Sequence, residues 1–226
     1  MNYYVLSSLQ TENHPISLVG NAILFENLEK LDIKAEYSYY PWYDIELCDT
    51  YDTCELPKNG VLFLEDENLN IFFHRIKYNL YVINQEIKEI INKYIDCDFL
   101  EIDIVNRKKE IISDTKYYIF RLMPSVDYDE FLDLDKSIYK FSDGFLVLEA
   151  PRSSKQFDKN LFKIRNIDIG QDTIFINEEL KNEFDRLDDT GFNIFDLDIA
   201  KWRDPYDFFS SLYLSEEEIN ELVWPI

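Results

Sequence analysis

The sequence predicts an α+β protein in which small, mostly antiparallel sheets pack against a few amphipathic helices. Short runs of β-branched and aromatic residues, bounded by turn residues, recur along the chain. Two segments place apolar residues at helical spacing behind an asparagine that can cap a helix, Asn84 and Asn177. The hydrophobic content of 46% suffices for a sizeable core, and 5 glycines and 7 prolines are too few for a low-complexity chain.

The first half of the chain contains one clear helix among several predicted strands. This helix begins after Asn84 and carries an apolar stripe from Ile87 to Ile95, at spacings of three and four residues. Residues 7–22 are polar and predict a loop, and residues 25–33 fit either a short helix or an extended segment. Strands are predicted at residues 2–6, 61–64, 71–73, 80–83 and 99–105.

The second half is organised around a strand, turn, strand, helix, strand order between Leu161 and Ile199. The helix begins after Asn177, and Gly191 marks its end because glycine readily takes a left-handed backbone. Asp127 and Glu130 have the spacing of a capping box before a short helix through Leu132. Further predicted elements are a strand at 117–122, a hairpin of 137–141 with 145–148, strands at 161–164, 173–176 and 192–199, a helix at 204–213, and a second capping box at Ser215 and Glu218.

A strand–helix–strand pattern occurs twice, with the two copies 93 positions apart. Two interpretations are open, a duplicated unit or two unrelated capped helices that each lie between strands. The predicted organisation is an N-terminal α/β lobe at 1–110 and a C-terminal α/β lobe at 111–226, with one continuous domain as the alternative. The identical pairs are Ile83 with Ile176, Asn84 with Asn177, Glu86 with Glu179, Lys88 with Lys181, Asp96 with Asp189, Phe99 with Phe192 and Asp103 with Asp196.

Acidic residues dominate the charge of the chain. With 45 Asp and Glu against 23 Lys and Arg, the formal net charge is −22. Such a field repels nucleic acid and anionic membranes, so we expect no direct binding to nucleic acid or to a membrane. The same field attracts basic partners. Solubility alone is the other explanation of the acidity. We see no signal-peptide pattern, no apolar run long enough to span a bilayer and no regular cysteine spacing, so the predicted location is the cytoplasm.

No catalytic, cofactor-binding or metal-binding set of residues is predicted. The two histidines, His14 and His74, and the three cysteines lack the spacing of a metal site. The sequence contains no glycine-rich phosphate loop and no serine-nucleophile elbow. A pairing of Cys97 with His74 stays open, because nothing in the sequence orients the two groups.

Paired carboxylates are the remaining route to chemistry. Asp133 with Asp135, and Asp196 with Asp198, stand at alternate positions that would point to one face of a strand. Such a pair can carry acid–base catalysis. Among 45 acidic residues such pairs arise without purpose, so a solvated face is favoured and a carboxylate-based enzyme is the less favoured alternative.

The segment from Tyr37 to Asp52 is the predicted partner-binding site. It interleaves tyrosines and a tryptophan with carboxylates. Tyrosine and tryptophan are frequent interface anchors, and the carboxylates would meet lysine or arginine on the partner. The alternative is a buried strand on which Tyr37, Tyr39 and Tyr43 alternate. The predicted contact residues are Tyr37, Tyr39, Tyr40, Trp42, Tyr43, Asp44, Glu46, Asp49, Tyr51 and Asp52.

Four short motifs lie between Tyr117 and Ile199. They are FLDLDKS at 131–137, LFKI at 161–164, TIFINEELKNEF at 173–184 and TGF at 190–192. Together they resemble the immunity proteins of polymorphic toxin systems, in the family numbered eleven, formerly a domain of unknown function. The N-terminal half departs from this pattern, and its tyrosine-rich segment is similar to the neighbouring immunity family numbered forty-three.

The resemblance implies a small cytoplasmic antidote used in competition between bacteria. It would bind the toxic domain of a cognate effector, delivered by contact-dependent or type VI secretion, and block its active site or substrate path. The resemblance transfers no catalytic residues. The acidity would then match a toxin with a basic surface, such as a nuclease. An acidic adaptor or nucleic-acid mimic is the alternative, and the oligomeric state and the chemistry of the toxin stay open.

Overall fold

The fold of the protein is α+β, as the sequence predicts. The computed structural model describes residues 2–9, 13–15, 18, 22–34, 57–77, 79–113, 115–122, 125–142, 145–154, 157–165, 167, 173–188, 190–202, 215, 217–218 and 221–224. These residues form three α-helices and thirteen strands, and most strand pairs are antiparallel. The predicted helix at 204–213 lies outside the described residues.

The elements follow one another in an order dominated by strands. The strands are β1 (Tyr3–Ser8), β2 (Ala22–Phe25), β3 (Asn59–Leu64), β4 (Phe73–Lys77), β5 (Leu80–Asn84), β6 (Phe99–Val105), β7 (Tyr117–Arg121), β8 (Ser125–Asp127), β9 (Ile138–Ser142), β10 (Phe145–Ala150), β11 (Leu161–Arg165), β12 (Ile174–Asn177) and β13 (Phe192–Asp196). The helices are α1 (Gln85–Tyr94), α2 (Tyr128–Phe131) and α3 (Glu178–Phe184), with a 3₁₀ turn at Leu28–Lys30.

The chain divides into two compact units, each built around one sheet. Unit 1 comprises Met1–Ile16 and Pro124–Ile226, and unit 2 comprises Ser17–Met123. These boundaries differ from the predicted division between residues 110 and 111. The reason is strand pairing, because β7 pairs with β5 and β6 of unit 2, whereas β1 pairs with β12 and β13 of unit 1.

Unit 2 contains a six-stranded sheet in the order β2-β3-β6-β7-β5-β4. Only the β3–β6 pair of this sheet is parallel. Helix α1 packs against β5 and β7 and buries Ile87, Ile90 and Ile91, which are part of the predicted apolar stripe. Burying such a stripe is what stabilises a helix of 10 residues, since short isolated helices are marginal in water.

Unit 1 contains a five-stranded sheet in the order β13-β1-β12-β11-β8 and the hairpin β9–β10. Its core is rich in aromatic rings. The Phe131 ring of α2 lies 5.1 Å from the Tyr3 ring, 4.9 Å from the Phe162 ring and 5.4 Å from the Phe175 ring, measured between centroids. These contacts join α2 to β1, β11 and β12.

Several predicted elements are shifted or were missed. Strands β2 and β8 are absent from the sequence prediction, because runs of four and three residues carry little pattern. Strand β4 spans Phe73–Lys77 rather than residues 71–73. The last strand ends at Asp196 rather than at residue 199, because the Asp196 carboxylate accepts the Asp198 N–H at 2.8 Å and its carbonyl accepts the Ala200 N–H at 3.0 Å, which forms a turn.

Candidate protein-binding edge

The ten predicted contact residues between Tyr37 and Asp52 lie outside the described residues. Their role in binding therefore stays a prediction. The structure does place the other groups that the sequence singled out for chemistry, namely His74, Cys97 and the two carboxylate pairs.

Cys97 and His74 are held in separate local environments. Burial raises the pKa of the Cys97 thiol to about 12, and the charges of Asp96 and Asp98 add to this effect. The thiol is therefore protonated at neutral pH, which is the unreactive form. His74 is fully buried in β4, and its Nδ1 accepts the Phe72 N–H at 3.2 Å. These contacts favour structural roles for both residues.

Alkylation of Cys97 should be slow in the folded protein. In a Cys48→Ser/Cys54→Ser background at pH 9, we expect the folded chain to react roughly 100-fold or more slowly than the urea-unfolded chain, since few of its thiols are ionised. Because the folded pKa lies above the ordinary value of 9.0, the contribution of this thiol to stability is complete below pH 9 and is lost as the pH rises toward 12. Equal alkylation rates in the two states would contradict the assignment.

Three of the four carboxylates in the two predicted pairs make local structural contacts. Asp133 pairs with Lys136, and this hydrogen bond lowers the pKa of the Asp133 carboxyl. The Asp196 carboxylate caps the turn at Asp198, whose own carboxylate lies 3.4 Å from Arg152 Nη1. Within the described part of the chain, no group of three or more His, Cys, Asp or Glu side chains could hold a metal ion.

Strand β9 carries the most prominent exposed apolar side chains on a described strand of unit 1. Ile138 is 59% exposed and Phe141 is 60% exposed. Among the described residues β9 pairs only with β10, so within that part of the chain its other backbone edge is open. We call Ile138, Phe141 and this open backbone the β9 edge. An open strand edge with apolar side chains is a template on which another chain can add a strand.

The β9 edge rests on a well-fixed base. The Phe141 ring lies 6.4 Å from the Tyr128 ring and 5.8 Å from the Tyr139 ring, both edge to face. Tyr128 and Tyr139 are partly buried against the core of unit 1. At the start of the strand the Ser137 hydroxyl accepts the Arg152 N–H at 2.9 Å. The exposed side chains therefore project from a structured support.

The segment that leads into β9 carries an excess of negative charge. Asp127 caps α2 in the predicted capping box with Glu130, which leaves the α2 residues Asp129 and Glu130 at the surface. Asp129 and Asp135 are exposed and form no ion pair with any residue that the structure describes. The two lysines nearby are already engaged, Lys136 with Asp133 and Lys140 with Glu149 at 3.4 Å.

The β9 edge was missed at the sequence level, although a signal for it exists. The run from Tyr128 to Phe141 interleaves aromatic residues with carboxylates, as the predicted segment from Tyr37 to Asp52 does. The hairpin itself was predicted. What the pattern does not contain is the exposure of Ile138 and Phe141, because exposure depends on which other strands cover the hairpin.

Comparison with known proteins adds no relative. No protein-family model matches the chain, and the curated proteins give no match. The resemblance of residues 117–199 to immunity family eleven, and of the tyrosine-rich segment to family forty-three, therefore stays a prediction. Among the described residues, the helices are too short or too polar to cross a bilayer.

Proposed function

We propose that this chain is an immunity protein that binds the toxic domain of a cognate secreted effector and neutralises it stoichiometrically in the cytoplasm. The observation that carries the proposal is the β9 edge, with two exposed apolar side chains. Within the described part of the chain, this strand edge is open and the Asp129 and Asp135 carboxylates beside it form no ion pair. The FLDLDKS motif of the family resemblance, at 131–137, leads directly into this strand. The contact face and the motif therefore belong to one continuous segment.

The toxin domain would bind by adding a strand to β9. Backbone hydrogen bonds would supply affinity, and Ile138 and Phe141 would fill apolar pockets on the toxin. Asp129, Glu130 and Asp135 would face lysine or arginine, which fits a toxin with a basic surface, such as a nuclease-type toxin. The net charge of −22 would speed the encounter, and salt would slow it by screening.

The test pairs the chain with the C-terminal domain of the secreted toxin encoded by a neighbouring gene. Co-expression should restore growth, and the two proteins should co-purify in equal amounts. Ile138→Asp should weaken binding at least about tenfold, because it places a charge in the apolar contact. Ile111→Asp is the matched control, since Ile111 is 56% exposed and lies in unit 2. The affinity of this variant for the toxin domain should change less than about twofold.

Three outcomes would count against the proposal. Absence of both co-purification and growth rescue would rule out immunity to that toxin. An equal loss of binding in Ile138→Asp and Ile111→Asp would place the contact away from the β9 edge. If the affinity does not fall as salt increases, the basic-toxin assignment is wrong. Charge reversal at Asp44, Glu46, Asp49 and Asp52 tests the sequence-predicted segment in the same assay and should weaken binding if that segment contributes.

A further inference from the structure

The strand–helix–strand pattern occurs in both units with the same internal geometry. The Asn84 side chain accepts the Ile87 N–H at 3.0 Å, and the Asn177 side chain accepts the Leu180 N–H at 3.0 Å. The backbone angles of the two caps agree closely, with φ −83° and ψ 176° at Asn84 and φ −85° and ψ 175° at Asn177. Any capped helix would share the first feature, so the pairing of the flanking strands decides between duplication and coincidence.

The strand that precedes each helix is paired in the same register on both sides. On one side, Ile83 of β5 faces Phe73 of β4, and Ile176 of β12 faces Leu161 of β11. The sequences then run in parallel, with FHRIK in β4 and LFKIR in β11. The N–H of each capping asparagine donates to the carbonyl of the residue just before the partner strand. Asn84 donates to Phe72, before β4, at 3.2 Å, and Asn177 donates to Asn160, before β11, at 3.0 Å.

The other neighbour is β7 in unit 2 and β1 in unit 1, two interior strands that we call the central strands of the repeat, and here the match is also close. Strand β7 of unit 2 begins Tyr-Tyr-Ile-Phe, and strand β1 of unit 1 begins Tyr-Tyr-Val-Leu. The register is the same in both pairs. It runs Asn84 with Tyr117, Ile83 with Tyr118, Val82 with Ile119 and Tyr81 with Phe120 in unit 2, and Asn177 with Tyr3, Ile176 with Tyr4, Phe175 with Val5 and Ile174 with Leu6 in unit 1.

A side-chain contact between helix and central strand is also repeated. The Lys88 ammonium lies 3.7 Å from the centre of the Tyr118 ring, and the Lys181 ammonium lies 5.4 Å from the centre of the Tyr4 ring. Both are cation–π contacts between matching positions. The strand after the helix differs, since Tyr118 faces Glu101 whereas Tyr4 faces Asp196, two positions further along the repeat. A shift of two residues keeps the same side chains on the same face.

In each sheet, the central strand of the repeat comes from one half of the sequence and the helix with its flanking strands comes from the other half. Strand β1 opens residues 1–110 but lies in unit 1, whose helix and other repeat strands come from residues 111–226. Strand β7 is the first strand of residues 111–226 but lies in unit 2. We propose that the chain is a tandem repeat of one module whose two copies have exchanged their first strands.

The exchange makes the sequence halves interdependent. The halves predicted from the sequence, 1–110 and 111–226, describe the repeat, whereas the compact units describe the exchanged arrangement. Neither half holds a complete sheet, because each lacks the strand at the centre of its own module. A central strand supplies backbone hydrogen bonds on both edges, so its loss leaves two strands without a partner.

Cross-linking in the full-length chain tests the exchange. A protease site is placed in the exposed connection between Thr115 and Lys116, in a chain whose three cysteines are serines. In Tyr4→Cys/Asp196→Cys, oxidation should join β1 to β13, so the two fragments should stay covalently linked after cleavage. In the control Tyr4→Cys/Glu101→Cys, both cysteines lie on the N-terminal fragment and would be adjacent only if each half kept its own first strand. Both should therefore stay free thiols, as measured by mass spectrometry after alkylation.

A second pair guards against misfolding of one variant. Glu101→Cys/Tyr118→Cys joins β6 to β7 and should also link the fragments, since these residues face each other in unit 2. The cleaved chain without engineered cysteines should run as one species in size-exclusion chromatography. A disulfide within the control pair, without linkage of the fragments in the other two variants, would overturn the exchange. Separation of the cleaved chain into two folded species would also overturn it.

Discussion

Replacement of Phe131 by alanine is expected to lower the unfolding free energy of unit 1 by about 3–5 kcal/mol, the usual cost of deleting a buried phenylalanine ring. Phe131 is fully buried, and its ring touches those of Tyr3, Phe162 and Phe175. The loss combines transfer of the ring to water with the cavity left between β1, β11 and β12. Hydrogen exchange of the β12 amides would report unit 1, with the β5 amides of unit 2 as an internal reference.

Phe141→Ala is the matched control for this loss. It removes the same side chain from the same unit, but the Phe141 ring is 60% exposed. Because, among the described residues, the ring makes aromatic contacts only with Tyr128 and Tyr139, we expect a loss of stability of about 1 kcal/mol or less, together with weaker binding to the toxin domain. The two variants thus separate a core role from a contact role. A destabilisation of Phe141→Ala as large as that of Phe131→Ala would make the ring part of the core and remove the basis for the β9 edge.

Gly191→Ala is expected to destabilise unit 1 by about 2 kcal/mol or more, from two causes that add. Gly191 has φ +67°, a left-handed backbone that costs a residue with a Cβ about 1 kcal/mol. An added Cβ would also stand 2.2 Å from His14 Nδ1 and 2.7 Å from His14 Cγ. The backbone is held in place, because the Gly191 carbonyl accepts the Leu9 N–H at 2.9 Å. Thermal unfolding monitored by circular dichroism would measure the loss.

Gly60→Ala separates a general glycine effect from this specific one. Gly60 lies in β3, and the nearest atom to an added Cβ is Ile102 Cγ2 at 3.2 Å, a contact that a shift of a few tenths of an ångström would relieve. We expect a change below about 1 kcal/mol, since the lost flexibility of the unfolded chain offsets the crowding. Adding His14→Ala to Gly191→Ala should remove the clash and restore that part of the lost stability. The cost of the left-handed backbone should remain. Equal effects of Gly191→Ala and Gly60→Ala would contradict both causes.

The local parts of the fold could be predicted because their signals are local. Asn84 and Asn177 each predict the start of a helix, because each is a capping residue followed within a few residues by an apolar stripe. Both cap hydrogen bonds form as predicted. Strand pairing has no such signal. Nothing near Tyr3 indicates that its partner strand lies at Asn177, which is why the sequence prediction groups residues 1–16 with the first half of the chain. Very short strands such as β8 fail for the same reason, since only their pairing defines them.

The candidate site was predictable in composition but not in position. Aromatic residues interleaved with carboxylates pointed to the segment from Tyr37 to Asp52, and the same mixture recurs between Tyr128 and Phe141. Composition alone does not tell an exposed ring from a buried one. Tyr139 and Phe141 are two residues apart on one strand, yet Tyr139 packs against the core while Phe141 is mostly exposed.

The position of β1 between β13 and β12 also sets an order of events on the ribosome. Residues 17–123 are complete when β7 has emerged, so unit 2 can close while unit 1 still lacks all but one of its strands. Strand β1 is made first, but its partners β12 and β13 follow roughly 170 residues later, which is about 10–35 s at ordinary rates of synthesis. Throughout that interval an apolar strand with Tyr3, Val5 and Leu6 has no native partner. Among the described strands, β1 is therefore the one that waits longest for its native partners during synthesis.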